Sequence, residues 1–262
     1  MMQRYLTLFR RLIVADTKAK LSDRADFLLI VLGVASTTLT SAATIWLLAG
    51  DTGRVAGWDR SGLIFMQGMM LVSYSLQSAC FNAQYWLESW LKDGSFLRFY
   101  LRPMHPVVLL SLERFHPQGI VLLLVGCAYC AFGAYPYAAA HQWWFVPTFL
   151  LASALSALSY LAINLVAAGS AFWMGDTFPV ITAANRLTDM ARYPVDIFPA
   201  LGRAAFQVLP LAVLAYWPAQ ALLKQTSLPL TLLAMSCFAV ASLWVLHWVW
   251  LAGMRRYEGA GG

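Results

Sequence analysis

The sequence predicts an all-α polytopic membrane protein with six transmembrane helices, an N-terminal interfacial helix and a cytoplasmic coupling helix. Three observations predict it. Of 262 residues, 60% are hydrophobic and only 11% are Asp, Glu, Lys or Arg, against about 25% charged in a soluble domain. Six stretches, 27–49, 62–83, 119–140, 143–168, 204–223 and 228–253, carry no Asp, Glu, Lys or Arg, and each meets the roughly 20 apolar residues that a helix needs to cross a bilayer core. Alternating the intervening segments across a membrane puts fifteen of the eighteen Lys and Arg on one side, which is the cytoplasmic one by the positive-inside rule. Both termini are then cytoplasmic. The formal charge of +6 faces anionic lipid headgroups, so membrane lipids are the expected partners and nucleic acid is not needed.

Residues 1–26 read as a helix lying on the cytoplasmic leaflet: Tyr5, Leu8, Phe9 and Leu12 repeat at helical spacing, with Arg4, Arg11 and Lys18 elsewhere. They carry no small-residue cleavage site before the first span. The loop 50–61 is short and Gly-rich, and the turn near Tyr135, Pro136 and Tyr137 is shorter still. Sequence complexity sits instead on the cytoplasmic side, in 84–118. A Trp-rich run ends at Asp93-Gly94, a turn; Ser95 is a candidate N-cap and Pro103 a stop for a helix of about two turns. This segment reads either as a loop with aromatic anchors or as a coupling helix that a soluble partner grips. A second cytoplasmic stretch runs over 175–203, where Asp176 and Thr177 can cap a helix with Pro179 in its first turn and Arg186 can pair with Asp189. The competing reading makes this stretch a span whose charges face the bundle interior, followed by a re-entrant hairpin broken at Pro210 and Pro218. An intramembrane charge costs about 2.5 kcal/mol or more, which favours the interfacial reading.

Several function classes are excluded or disfavoured. The chain has no Walker A loop, no G-x-S-x-G elbow and no HExxH. Cys80, Cys127, Cys130 and Cys237 all lie in apolar spans and read as small packing residues. His105, His116, His141 and His247 are scattered without metal-site spacing. An ion-driven transporter keeps ionisable groups inside its spans; these spans hold only Ser, Thr, Asn and Gln. Most of those residues serve helix packing. Thr40, Thr44, Gln67, Ser73, Gln77 and Gln207 are the candidates for a translocation path, between two protomers. A membrane-embedded enzyme and a structural or channel-forming membrane protein are the alternatives.

The order of parts resembles the permease subunits of type-2 ATP-binding-cassette (ABC) transporters, in the branch of about 260 residues. The matching segments are Gly94-Ser-Phe-Leu-Arg-Phe-Tyr-Leu-Arg-Pro103 after span two, Phe172-Trp173 after span four, then Tyr193-Pro-Val-Asp-Ile-Phe-Pro199, Leu209-Pro-Leu-Ala212 and Pro218-Ala-Gln-Ala-Leu-Leu223. The resemblance implies an exporter permease, not itself an enzyme, in the bacterial inner membrane. It implies a second permease protomer and separate ABC ATPase subunits that bind ATP and Mg, with no cofactor in this chain. It also implies that Phe96, Leu97, Phe99 and Tyr100 fill a groove on the ATPase, with Glu88, Arg98 and Arg102 as its polar docking residues.

Overall fold

The computed structural model describes residues 24–50, 53–100, 116–209, 211–224 and 227–257. The interfacial helix expected over 1–26 lies outside them except for its last three residues, as does 101–115 with Arg102. Among the described residues the protein is a helical bundle with one two-stranded hairpin. Helix α1, Arg24–Ala49, leads into antiparallel strands β1, Arg54–Val55, and β2, Trp58–Asp59, and then α2, Arg60–Cys80. Two short helices follow, α3 at Leu87–Lys92 and α4 at Leu97–Tyr100. Helices α5, Gln118–Ala134, and α6, Phe145–Gly169, complete the centre; α7, Phe178–Met190, α8, Ala200–Val208, α9, Tyr216–Leu223, and α10, Leu228–Arg256, come last.

Among the described residues, four helices are long and apolar enough to cross a membrane: Phe27–Leu47, Arg60–Cys80, Phe145–Phe172 and Leu228–Arg256. Hydroxyl groups on the first of them, α1, are compatible with lipid because they bond within the helix. Thr38 Oγ1 donates to the Val34 carbonyl at 2.8 Å, and Thr40, Ser41 and Thr44 donate one turn back at 2.8 to 3.0 Å. Helix α5 stops at Ala134, short of the expected 140. Pro136 cannot continue it, and the chain turns through Tyr137 into the 3₁₀ turn Ala138–His141.

Glycine sets the closest helix pair. A Cβ on Gly119 would lie 2.4 Å from Ala79 N, one on Gly126 2.9 Å from Val72 N, and one on Gly133 2.6 Å from Phe65 N. These three glycines recur every seventh residue, so one face of α5 lies directly on the α2 backbone. At the hairpin end, Asp59 caps α2 through Gly62 N at 3.2 Å and also accepts the Tyr137 hydroxyl. Burial and that carboxylate push the Tyr137 hydroxyl pKa above its usual range.

The chain from 175 to 223 departs from the cytoplasmic interfacial reading. Helix α7 begins beside Glu88 of α3, where Thr177 N donates to the Glu88 carboxylate at 2.8 Å. Further along, Arg192 Nη1 reaches Ser41 Oγ at 3.2 Å, about 12 Å from the hairpin end of α1 by helical rise. Asp196 then accepts the Tyr216 hydroxyl at 2.7 Å, and Tyr216 packs on Trp58 of the hairpin with ring centroids 6.0 Å apart. The segment therefore runs from the α3 end of the bundle to the hairpin end. Its charges are tolerated there because Arg192 and Asp189 form a salt bridge.

The single helix expected over 204–223 is two helices, α8 and α9, with turns across Leu211–Ala215. This break dips into the bundle. Leu214 O lies 3.1 Å from Ser73 Oγ, and Val213 O accepts Ser156 Oγ at 2.9 Å. Ser73 is about 20 Å along α2 from its hairpin end and Ser156 about 17 Å along α6. Helix α9 then returns to the hairpin, where Lys224 Nζ sits 3.7 Å from the Trp58 ring centre. The path is re-entrant. Buried serines supply the donors that a helix would otherwise give these carbonyls.

Candidate functional site

Three cavities adjoin one another along α7. The first, about 410 Å³, is lined by Tyr85, Glu88, Ser89, Lys92, Asp176, Thr177, Phe178 and Ile181. The second, about 260 Å³, shares Tyr85 and adds Met70, Leu71, Tyr74, Tyr160, Asn185, Asp189 and Arg192. The third, about 450 Å³, shares Leu71, Tyr74, Asp189 and Arg192 and extends to Thr37, Thr38, Ser41, Gln67, Gln118 and Tyr129. They lead from the short helix α3 to the middle of α1 and α2.

Polar groups from five helices, α1, α2, α5, α6 and α7, converge here. Asn185 Nδ2 donates to the Tyr85 hydroxyl at 3.1 Å, and the Tyr74 and Tyr160 rings lie 5.5 Å apart. The Tyr129 hydroxyl donates to Thr38 O at 3.2 Å. Arg192 is spread over the Asp189 carbonyl, the Asp189 carboxylate and Ser41, while half of the Asp189 side chain remains exposed. Gln67 is buried, and its amide nitrogen has no hydrogen-bond partner among the described residues. An unsatisfied buried amide beside a cavity is a group that a water molecule or a ligand completes. Among the described residues no group of three or more His, Cys, Asp or Glu could hold a metal ion.

Among the described residues, one of the expected path residues lines this route. Gln67 does. Thr40 and Thr44 spend their hydroxyls on the α1 backbone, and Ser73 is occupied by the Met69 and Leu214 carbonyls. Gln77 is buried, with neither amide atom partnered among the described residues, but lines none of the three cavities. The Gln207 side chain is outside the described residues. Asp189 and Arg192 were missing from the expected set. Arg186 and Arg192 both stand three residues from Asp189, and the structure selects Arg192.

The expected docking residues also divide. Phe96 and Phe99 are fully buried, in a cluster with Leu87, Leu161, Leu165, Leu246 and Trp250. They hold α4 onto the ends of α6 and α10, which corrects their assignment to a partner's groove. Phe172 packs edge-on against Phe96 and Trp250 at 5.6 and 5.5 Å, and Tyr257 closes on Phe96 at 5.3 Å. Leu97 and Arg98 stay exposed. The Glu88 carboxylate is engaged by Lys92 and Thr177. The Tyr100 side chain and Arg102 lie outside the described residues.

The family model described as ABC-2 family transporter protein matches residues 34–261. The chain belongs to that family. A search of curated proteins and one of solved structures each returned no match. The ABC-2 family match makes the chain a membrane transport component that is not itself catalytic. The matched region covers every element described here from the middle of α1 to the end of α10. The segments Tyr193–Pro199, Leu209–Ala212 and Pro218–Leu223 of this ABC-2 protein all fall on the re-entrant path.

Proposed function

We propose that this ABC-2 protein is the permease subunit of an ABC exporter in a bacterial inner membrane. Both termini face the cytoplasm, and the chain pairs with a second permease protomer and with separate ABC ATPase subunits, which bind the ATP and Mg. The observation that carries this reading is the run of polar cavities along α7. A wide polar route is hard to build inside one small bundle, yet here polar groups of α1, α2, α5 and α7 line a half-open groove that a second protomer can close. Substrate would move from the α3 end toward Gln67, with Asp189 and Arg192 at the narrowing between the second and third cavities. Lipid covers the apolar faces of α1 and α10, where Leu29, Leu32, Leu47, Leu233 and Val240 are exposed.

Purification from membranes in mild detergent tests the assignment. An ABC ATPase accompanying the chain, with two permease copies per complex, is the expected result. A chain that purifies alone and conducts ions or turns over a substrate without nucleotide would replace it with the channel or enzyme reading.

A further inference from the structure

We infer that Glu88 is a positioning residue that joins the cytoplasmic segment to the cavity-lining helix α7, so that a push on α3 is delivered to the start of α7. This inference rests on the permease reading. Glu88 belongs to α3, yet its carboxylate terminates another helix. Oε2 accepts from the Thr177 backbone N–H at 2.8 Å and from the Thr177 hydroxyl at 2.7 Å, while Oε1 holds Lys92. Helix α7 needs that help. No side chain of Thr177 caps it, Pro179 has no N–H to offer, and Asp176 serves only Phe178 N, at 3.0 Å. A negative carboxylate at the positive end of a helix is favourable, and hydrogen bonds to an ionised acceptor are short and directional.

The apolar contacts of α3 and α4 are of a different kind. Leu87, Phe96 and Phe99 lie in an apolar cluster with α6 and α10, and dispersion contacts have little directional preference. The bonds from Glu88 to Thr177 fix the start of α7 in position and angle. Thirteen residues of regular helix, Phe178–Met190, then carry any displacement about 20 Å to Asp189 and Arg192. Glu88 therefore acts through Thr177 and α7 and is not a docking contact for the ATPase.

Nitroxide labels test this without knowledge of the substrate. In a background with the four native cysteines replaced, Ser89→Cys reports on α3 and Leu187→Cys on α7, both at exposed positions. Distances are read by pulsed electron resonance in the ATPase-bound complex, nucleotide-free and after trapping ATP–Mg with vanadate. The parent and Thr177→Ser should give one Ser89–Leu187 distance that is the same in both states. Thr177→Val and Glu88→Ala should give a distance that shifts with nucleotide, while ATP hydrolysis by the complex persists. A parent distance that shifts, or an unshifted distance in both Thr177→Val and Glu88→Ala, overturns the joint and leaves the permease reading standing. Loss of the ATPase from both variants also overturns it, by making Glu88 a docking residue. A parent preparation with no ATPase overturns the permease reading itself.

Discussion

Arg192 reaches three acceptors on two helices: the Asp189 carbonyl at 2.9 Å, the Asp189 carboxylate and Ser41 Oγ at 3.2 Å. Removing one member leaves the other's charge beside the cavity without its partner, whereas neutralising both removes the need for either. Arg192→Gln and Asp189→Asn should each lower the melting temperature in detergent, and the double variant should recover most of the loss. Losses that simply add would show that the two residues are energetically independent. Glu88 poses a pH question. Lys92 first, then the Thr177 N–H and hydroxyl, hold its carboxyl at about 2 against an ordinary 4.5. A depressed carboxyl pKa contributes stability that is present above the ordinary value and lost as pH falls toward the folded one. With Tyr85, Lys92 and Asp176 as the other titratable groups lining the same cavity, the difference in melting temperature between parent and Glu88→Gln should stay constant from about pH 8 to 6. It should narrow below 4.5; a difference that varies between pH 8 and 6 would contradict this assignment. At this scale the sequence showed the residue types but not the partners. Two arginines stand at equal spacing from Asp189, and nothing in local spacing links Glu88 to Thr177 across the intervening chain.

Helix α5 owes its place to Gly119, Gly126 and Gly133. Valine at 126 would bring its Cβ to 2.9 Å from Val72 N and 3.0 Å from Gly68 O, where backbone must move to make room. Overpacking of this kind costs about 1–3 kcal/mol or more. Gly126→Val should therefore lose folded protein on heating in detergent, while Gly33→Ala on α1, whose Cβ meets nothing within 4 Å, should not; equal effects would remove the close approach as the cause. The long apolar helices α1, α2, α6 and α10 were legible because a run of about 20 uncharged residues has few other solutions in a bilayer. The start of α7 was legible from Thr177 and Pro179, but its place in the bundle was not. Asp189 of α7 and Arg192 just beyond it look costly when priced as isolated charges, and only the tertiary fold reveals Ser41 beside their salt bridge. The 204–223 stretch failed for the opposite reason: hydropathy reads it as a continuous span, and hydropathy is blind to Ser73 and Ser156, which make non-helical backbone tolerable at that depth. Residues 97–99 of the aromatic run fall in the short helix α4, but alternation of buried Phe96 and Phe99 with exposed Leu97 and Arg98 was not distinguished from a fully exposed docking face.

For the molecule as a whole, the re-entrant path changes the charge map without reversing it. Arg186 and Arg192 move from the cytoplasmic side into α7 and its continuation, and Arg203 moves to the hairpin side with α8. The five basic residues before α1 with Arg24 at its start, the four from Lys92 to Arg114, and Arg255 and Arg256 still outnumber Arg54, Arg60, Arg203 and Lys224, so the same rule still favours the proposed orientation with both termini cytoplasmic. The two paths differ in where α8 faces. If α7 crosses the bilayer, Leu201 on α8, one of the most exposed large apolar residues, lies on the same side as the Ala56 turn of the hairpin; if 175–203 is interfacial, it lies with Ser89. In cells expressing a cysteine-free parent, an impermeant maleimide added outside should label Ala56→Cys and Leu201→Cys and leave Ser89→Cys unlabelled until the membrane is opened. Labelling of Leu201→Cys only after opening would restore the cytoplasmic path for 175–203. It would also remove Asp189 and Arg192 from the interior, and with them the polar route along α7.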